Sequence, residues 1–191
     1  MKLIKILALI FSVLICTSCT PSPAFAYTLQ GTVVYVYDGD TILLKEADHD
    51  HGVTSALEGR HRVRLASIDA PEKDQPYGIE STLLLRKLLQ NNTVLANIID
   101  IDKYGRKIAY VHINDHLHCP LGNSDISSLM LANGAAWHYK AFDKTSAQYD
   151  MHYALEQQAR ANKRGLWAQE NPIAPWVWRK QSSQYTHGKN Q

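Results

Sequence analysis

Three short segments gather the side chains able to do chemistry: Asp38-Gly39-Asp40-Thr41, Arg64 through Asp69-Ala70-Pro71-Glu72, and Asp102-Lys103-Tyr104-Gly105-Arg106. Taken singly they read as a hairpin turn, a solvated loop and a β-turn with an exposed base. Taken together they form a coherent set. Asp40, Asp69 and Glu72, brought within reach of one point, would suit a hard cation with oxygen ligands, Ca²⁺ before Zn²⁺. Arg64 and Arg106 near the same point would clamp a phosphate through two donors each. Carboxylates, cation and guanidiniums together describe phosphodiester hydrolysis. In that chemistry a cation neutralises a phosphate oxygen, a carboxylate handles water, and arginines offset charge building on phosphorus. A carbohydrate acid/base pair would have no use for the arginines.

Positioning these groups falls to short strands and a few helices. Residues 30–37 are rich in β-branched and aromatic types and end at Asp38-Gly39-Asp40, a turn signal, with Thr41 to Lys45 completing a hairpin. Residues 46–60 lack periodicity and read as a loop. His61 to Ile68 alternates, with Val63 and Leu65 on one face and Arg62 and Arg64 on the other. From Gly78 the period becomes helical, with Ile79, Leu83, Leu84 and Leu88 as the expected buried stripe. Thr93 to Ile99 and Lys107 to Ile113 predict two more strands. Helices follow over about 125–133 and about 146–162, the second with Ala147, Met151, Ala154, Leu155 and Gln158 on its inner stripe. Three strands, a helix and two strands is the order of an OB barrel, so the expected fold is mixed α+β: a five-stranded barrel with about three helices.

The chain has 191 residues, 45% of them hydrophobic and 20% charged, which favours one domain and argues against global disorder. Lys2 and Lys5 precede an apolar run from Ile6 to Cys16 that is too short to span a bilayer, and Ala24-Phe25-Ala26 supplies the small residues of a cleavage site. We therefore expect a signal peptide over 1–26, an exported domain over 27–180, and a disordered tail over 181–191. The competing outcomes are an uncleaved anchor, or lipidation at Cys19 or Cys16, which would tether the protein to a membrane. Cleavage before Tyr27 leaves Cys119 alone, so no internal disulfide is expected. It also leaves 18 basic against 18 acidic residues. Bulk charge then cannot attract a polyanion, and a local site must do so.

At the level of motifs the chain resembles the staphylococcal nuclease (thermonuclease) family from about Gly31 to Trp178. The resemblance is carried by Val36-Tyr37-Asp38-Gly39-Asp40-Thr41, Arg64 to Glu72, Tyr77-Gly78, Asp102 to Arg106 with Ala109-Tyr110, Ala161 to Trp167, and the ending Pro172 to Arg179. It implies an OB-fold nuclease cleaving DNA and RNA with Ca²⁺ and leaving 3′-phosphates; separately, we expect a monomer without a stable protein partner. Residue by residue it implies that Asp40, Asp69 and the backbone carbonyl of Ala70 bind Ca²⁺, with Asp38 just behind them. Glu72 would hold the attacking water, Arg64 and Arg106 would grip the phosphate, and Tyr104 would lie beside the nucleotide. Ala70 stands where the best-known member has Thr, a change that a main-chain ligand tolerates. Trp137 or Tyr139 correspond to the family's base-stacking tyrosines too loosely for a role to be carried over, and core packing is the alternative for Trp137.

Two insertions look long for the family, 46–60 and 116–124; they carry Asp48-His49-Asp50-His51 and His116, His118 and Cys119. A transition-metal site in either is the alternative reading, but neither holds a complete ligand quartet, so polar loops are expected. The rival to an enzyme is a noncatalytic nucleic-acid- or protein-binding module on the same barrel. The presence of Asp40, Arg64, Asp69, Glu72 and Arg106 speaks against it. A calcium-binding surface protein would leave both arginines unmotivated.

Overall fold

Alternating burial builds the barrel strand by strand. The computed structural model describes residues 26–47, 59–113, 125–143 and 148–188. All of the expected leader over 1–26 except Ala26, and the histidine-bearing loops at 48–51 and 116–119, lie outside them. Strand β1 (Tyr27–Val36) pairs antiparallel with β2 (Thr41–Glu46) on one side and with β5 (Thr93–Ile101) on the other. A register shift between Val33 and Tyr35 inserts one extra residue, so Val33 and Val36 both face inward although they are three apart. β3 (Arg60–Leu65) pairs antiparallel with β2 and parallel with β6 (Lys107–Ile113), and β5–β6 pairing closes the barrel in the order β1-β2-β3-β6-β5. Its interior is filled by Val33, Val36, Ile42, Leu44, Val63, Leu65, Val94, Ile98 and Val111. Each such buried side chain contributes roughly 1.5–3 kcal/mol relative to exposure. The fold class is thus the expected one, a five-stranded barrel with helices packed on it.

The strand expected over 61–68 is broken. β3 stops at Leu65, and Ser67 adopts a left-handed conformation with φ 65°. This turns the chain out of the barrel, so that the short β4 (Ile68–Asp69) pairs instead with β7 (Trp137–His138). The kink is held by a hydrogen bond between Ser67 Oγ and Tyr110 Oη at 3.0 Å and by Tyr139 N–H donating to the Ser67 carbonyl at 2.8 Å. Alternation could not reveal it, because Ile68 is apolar and fits either register.

Helices cover one end and one side of the barrel. α1 (Gly78–Leu89) buries Gly78, Ser81, Leu85 and Leu89, whereas Ile79 and Leu83 of the expected stripe are exposed. Leu84 and Leu88 flank the core at partial burial. The true inner face is rotated by one position, because the leucine run offers two adjacent stripes and Ser81 finds a buried acceptor in the Ala135 carbonyl at 2.7 Å. α2 (Ile126–Ala132) is capped by Asp125, whose carboxylate accepts from Ser128 N–H at 2.9 Å. The short α3 (Lys140–Asp143) follows β7 and precedes α4 (Tyr149–Ala161).

On α4 the inner stripe also differs from expectation. Met151 is 45% exposed, and the buried positions are His152, Glu156 and Ala159. Polar residues face inward there because each meets a charged or polar partner, which a hydrophobic pattern does not register. After a 3-10 turn at Gly165–Ala168, α5 (Pro175–Gly188) carries the chain past Lys180, where the sequence suggested a disordered tail. Pro175 suits the first helical position, and neither Pro nor Gly interrupts the next twelve residues. Among the described residues no helix is long and apolar enough to cross a membrane.

Candidate active site

The first two predicted segments converge where the β1–β2 turn meets the kinked exit of β3. In the turn, Asp38 Oδ1 accepts from Asp40 N–H at 3.0 Å, and Leu65 N–H donates to the Asp40 carbonyl at 2.8 Å. These bonds seat Asp40 beside the end of β3 with only 6% exposure. Its carboxylate accepts from Thr41 Oγ1 at 2.8 Å and from Ala70 N–H at 3.1 Å. Asp69 arrives on β4, 1% exposed, and Arg64 arrives one strand earlier on β3.

One guanidinium nitrogen joins the two acids. Arg64 Nη2 lies 2.8 Å from Asp69 Oδ1 and 3.3 Å from Asp40 Oδ2, while Nη1 donates to the Ile68 carbonyl at 3.2 Å. Burial opposes the charge of Arg64, but Asp40 and Asp69 outweigh it and raise its pKa further, so it stays cationic. Asp38 sits behind this pair. Burial, reinforced by the charge of Asp40, raises its pKa to about 6.

Glu72 is placed by the loop between β4 and α1. Its own N–H donates to Gln75 Oε1 at 3.1 Å, and Gln75 N–H donates back to the Glu72 carbonyl at 3.0 Å. Gln75 Nε2 then donates to the Ile173 carbonyl at 2.6 Å, tying the loop to the segment before α5. Gly78 belongs to the same device, since a Cβ there would collide with the backbone carbonyl of Glu72.

A residue the sequence did not single out completes the cluster. Arg179 on α5 donates from Nη2 to Asp69 Oδ2 at 2.7 Å, and from Nη1 to Glu72 Oε1 at 2.7 Å and Asp69 Oδ1 at 3.2 Å. Hydrogen bonds to Asp69 and then Glu72 push its pKa up despite partial burial. The result is a continuous chain of alternating charge, Asp40–Arg64–Asp69–Arg179–Glu72. Only its place in the motif-like ending Pro172 to Arg179 set Arg179 apart; no spacing rule links it to acids more than a hundred residues earlier.

In the third predicted segment the side chains pair within their own turn. Asp102 to Arg106 forms the β5–β6 turn, in which Asp102 accepts from Tyr104 N–H at 2.9 Å, Arg106 N–H at 3.0 Å and Arg106 Nε at 2.7 Å. Burial raises the Asp102 pKa, but these bonds together outweigh it and hold the carboxyl below the usual carboxylate range. Arg106 is thus paired with Asp102 rather than with Asp40, Asp69 or Glu72. Tyr104 is 71% exposed, with the Lys103 and Arg106 cations 5.0 and 5.6 Å from its ring centroid. It offers an open aromatic face framed by positive charge. Trp137 is instead packed: its ring lies 4.5 Å from Trp167 and 5.6 Å from Trp176, with the Arg160 guanidinium 4.6 Å from its centroid. Tyr139 packs on Trp176 at 5.5 Å.

The donor set suits a hard divalent cation. All the convergent anionic ligands are carboxylate oxygens, two of the three acids are nearly buried, and two guanidiniums supply the positive charge they require. No thiol or imidazole joins the cluster among the described residues. Carboxylates and guanidiniums in alternation can neutralise a phosphate, hold a water, and stabilise a transition state richer in charge than the substrate.

Comparison with known proteins agrees with this chemistry. Residues 62–169 match the family model described as staphylococcal nuclease homologue. The chain is 34% identical to an uncharacterised endonuclease of Escherichia coli O157:H7 over 82% of its own length and 89% of that protein. It is 35% identical to a micrococcal nuclease of Shigella flexneri, with 86% and 88% of the two chains covered. A probable staphylococcal-like nuclease of Oryza sativa subsp. japonica is 40% identical over 65% of this chain and 30% of its own.

Proposed function

As the chain belongs to the staphylococcal nuclease family and is a nuclease, we propose that it is an exported, Ca²⁺-dependent, sugar-nonspecific enzyme that hydrolyses DNA and RNA to 3′-phosphate products. The observation that carries this reading is the alternating chain Asp40–Arg64–Asp69–Arg179–Glu72. Asp40 and Asp69, with the Ala70 carbonyl, would hold the ion, and Asp38 behind them adds negative potential. Bound there, Ca²⁺ would neutralise a phosphate oxygen and so lower the barrier to attack on phosphorus.

The remaining roles belong to the chain's own groups. Glu72 holds the attacking water and accepts its proton as the new P–O bond forms. The 5′ oxygen leaves with a proton, and the phosphate stays on the 3′ side. Arg64, buried and permanently cationic, faces the phosphate together with Arg106 and offsets the charge that accumulates on its oxygens. For that role Arg106 swings from Asp102 toward the substrate. Tyr104 stacks beside the nucleotide at the same rim. Contacts limited to phosphate and a base face carry little sequence information, which fits a nonspecific enzyme acting on both sugars. Export rests on the leader over 1–26.

A direct test is to incubate the protein with single-stranded DNA and with RNA, in Ca²⁺ or in chelator. Cleavage of both, abolished by chelator and restored by Ca²⁺, is expected. Binding without chelator-sensitive cleavage would favour the noncatalytic barrel instead.

A further inference from the structure

A second group of reactive side chains lies outside the nuclease chemistry. His138 on β7, Asp143 at the end of α3 and His152 on α4 meet below the surface with side chains wholly buried, and Asp125, the cap of α2, joins them at 6% side-chain exposure. Asp143 Oδ2 lies 2.6 Å from His138 Nε2 and 3.2 Å from His152 Nδ1. One ligand atom from each of His138, Asp143 and His152 falls within 4.8 Å of the others. On the far side of its ring, His152 Nε2 lies 3.1 Å from Asp125 Oδ2.

Four elements separated in sequence thus bring two imidazoles and two carboxylates together below the surface, with His138, Asp143 and His152 facing one point and Asp125 behind His152. Two carboxylates buried together need positive charge close by. Without a metal that charge must come from protons on the rings or on a carboxylate. A single dication among His138 Nε2, His152 Nδ1 and Asp143 Oδ2 balances both carboxylates with both rings neutral. Without a metal, burial lowers the His152 pKa but its bonds to Asp125 and Asp143 outweigh this and raise it to about 9; with a dication bound, Nε2–H donated to Asp125 would leave the Nδ1 lone pair facing inward, the arrangement that metal-bound imidazoles use. Asp125 is itself held by Ser128, through N–H at 2.9 Å and Oγ at 2.7 Å, so the orienting carboxylate is rigid. Nitrogen donors with a single carboxylate suit Zn²⁺ and its transition-metal neighbours rather than Ca²⁺.

We propose that His138, Asp143 and His152 bind a transition-metal dication of the zinc type, with Asp125 positioning His152. Its role is structural: the ion pins β7, α3 and α4 to one another, and Asp125 ties in α2. It also braces the nuclease centre from behind. His138 is the register partner of Ile68, and its neighbour Trp137 pairs with Asp69. Alternation therefore places His138 and Asp69 on opposite faces of the β4–β7 ribbon. The ion would fix the strand that presents Asp69 without sharing a ligand with it.

The test needs no nucleic acid, so its outcome is independent of the nuclease reading. Protein prepared without a histidine tag should carry close to one zinc per chain by elemental analysis. Chelator-stripped protein should regain roughly 5–10 °C in melting temperature when free Zn²⁺ reaches about a hundred times its dissociation constant. Co²⁺ loaded in place of zinc should give the strong visible bands of a low-symmetry, nitrogen-ligated site, and these should be lost in His152→Gln and Asp143→Asn. If those variants fail to fold, the wild-type melting titration still decides. Protein that is isolated metal-free and melts identically with and without Zn²⁺ would overturn the proposal, leaving the histidines as protonated partners of the carboxylates. Zn²⁺ recovery that is undiminished in folded His152→Gln or Asp143→Asn would overturn it as well, since it would then come from another site.

Discussion

Arg179 competes for the same carboxylate oxygens that a bound cation would need, so replacing it should lower the calcium requirement. Its guanidinium contacts Asp69 at 2.7 and 3.2 Å and Glu72 at 2.7 Å. Unit charges about 4 Å apart attract by about 4 kcal/mol at an effective dielectric constant near 20. The Arg179 side chain is 45% exposed, so screening and the entropy of ordering a long side chain reduce this to about 1–2 kcal/mol net. About 1.4 kcal/mol corresponds to tenfold in an equilibrium constant. Arg179→Gln should therefore shift the calcium midpoint of cleavage about tenfold lower. It should also cost about 1 kcal/mol of stability, since α5 loses its tie to β4, or roughly 2–4 °C in melting temperature for a domain of this size. The assay is a calcium titration of cleavage of a fluorogenic single-stranded oligonucleotide, with melting followed by circular dichroism. A calcium midpoint that stays put or moves upward would refute the competition argument, whatever happens to the maximal rate.

Other consequences can be checked with the same assays. Glu72→Gln and Arg106→Ala should each reduce turnover at least ~100-fold with the dichroism spectrum intact, and a loss explained by unfolding would remove them from the mechanism. Tyr104→Ala should raise KM more than it lowers kcat, because an exposed stacking face contributes to binding rather than to bond breaking. Gly78→Ala forces a Cβ against the Glu72 carbonyl, so activity should fall with Glu72 still present, and a fully active variant would show that the loop geometry is immaterial. Asp102 is held below the usual carboxylate range, so its clamp on the β5–β6 turn is complete above that range and fails as pH falls through its lowered folded-state value. In Asp102→Asn the acid limb of the pH–stability curve should become shallower; an unchanged curve would mean that the turn holds without the carboxylate.

Much of this molecule was readable from its residues because the signals are local. The barrel strands announce themselves by β-branched alternation ending at turn residues. Asp40 and Arg64 could be matched to strand ends because register partners sit at fixed offsets, as Thr41 does opposite Arg64. Asp69 and Glu72 followed from the same short segment. Where local pattern is degenerate, the reading slipped. The leucine run of α1 allowed two faces, and packing against the barrel chose Leu85 and Leu89. On α4, His152 and Glu156 look like surface residues until their partners are known, and those partners come from α2, α3 and β7.

Sequence alone thus determined the fold class and the family, and it singled out candidate acids and arginines, since composition, period and short motifs are properties of contiguous chain. Only tertiary structure decided which charges stand together. Arg179 reaches Asp69 across 110 positions, and His138, Asp143 and His152 converge from three elements. Arg106, expected with the acids, is paired with its own turn instead. The physical reason is that electrostatic partnership depends on distances through space and on burial, and neither is encoded in spacing along the chain.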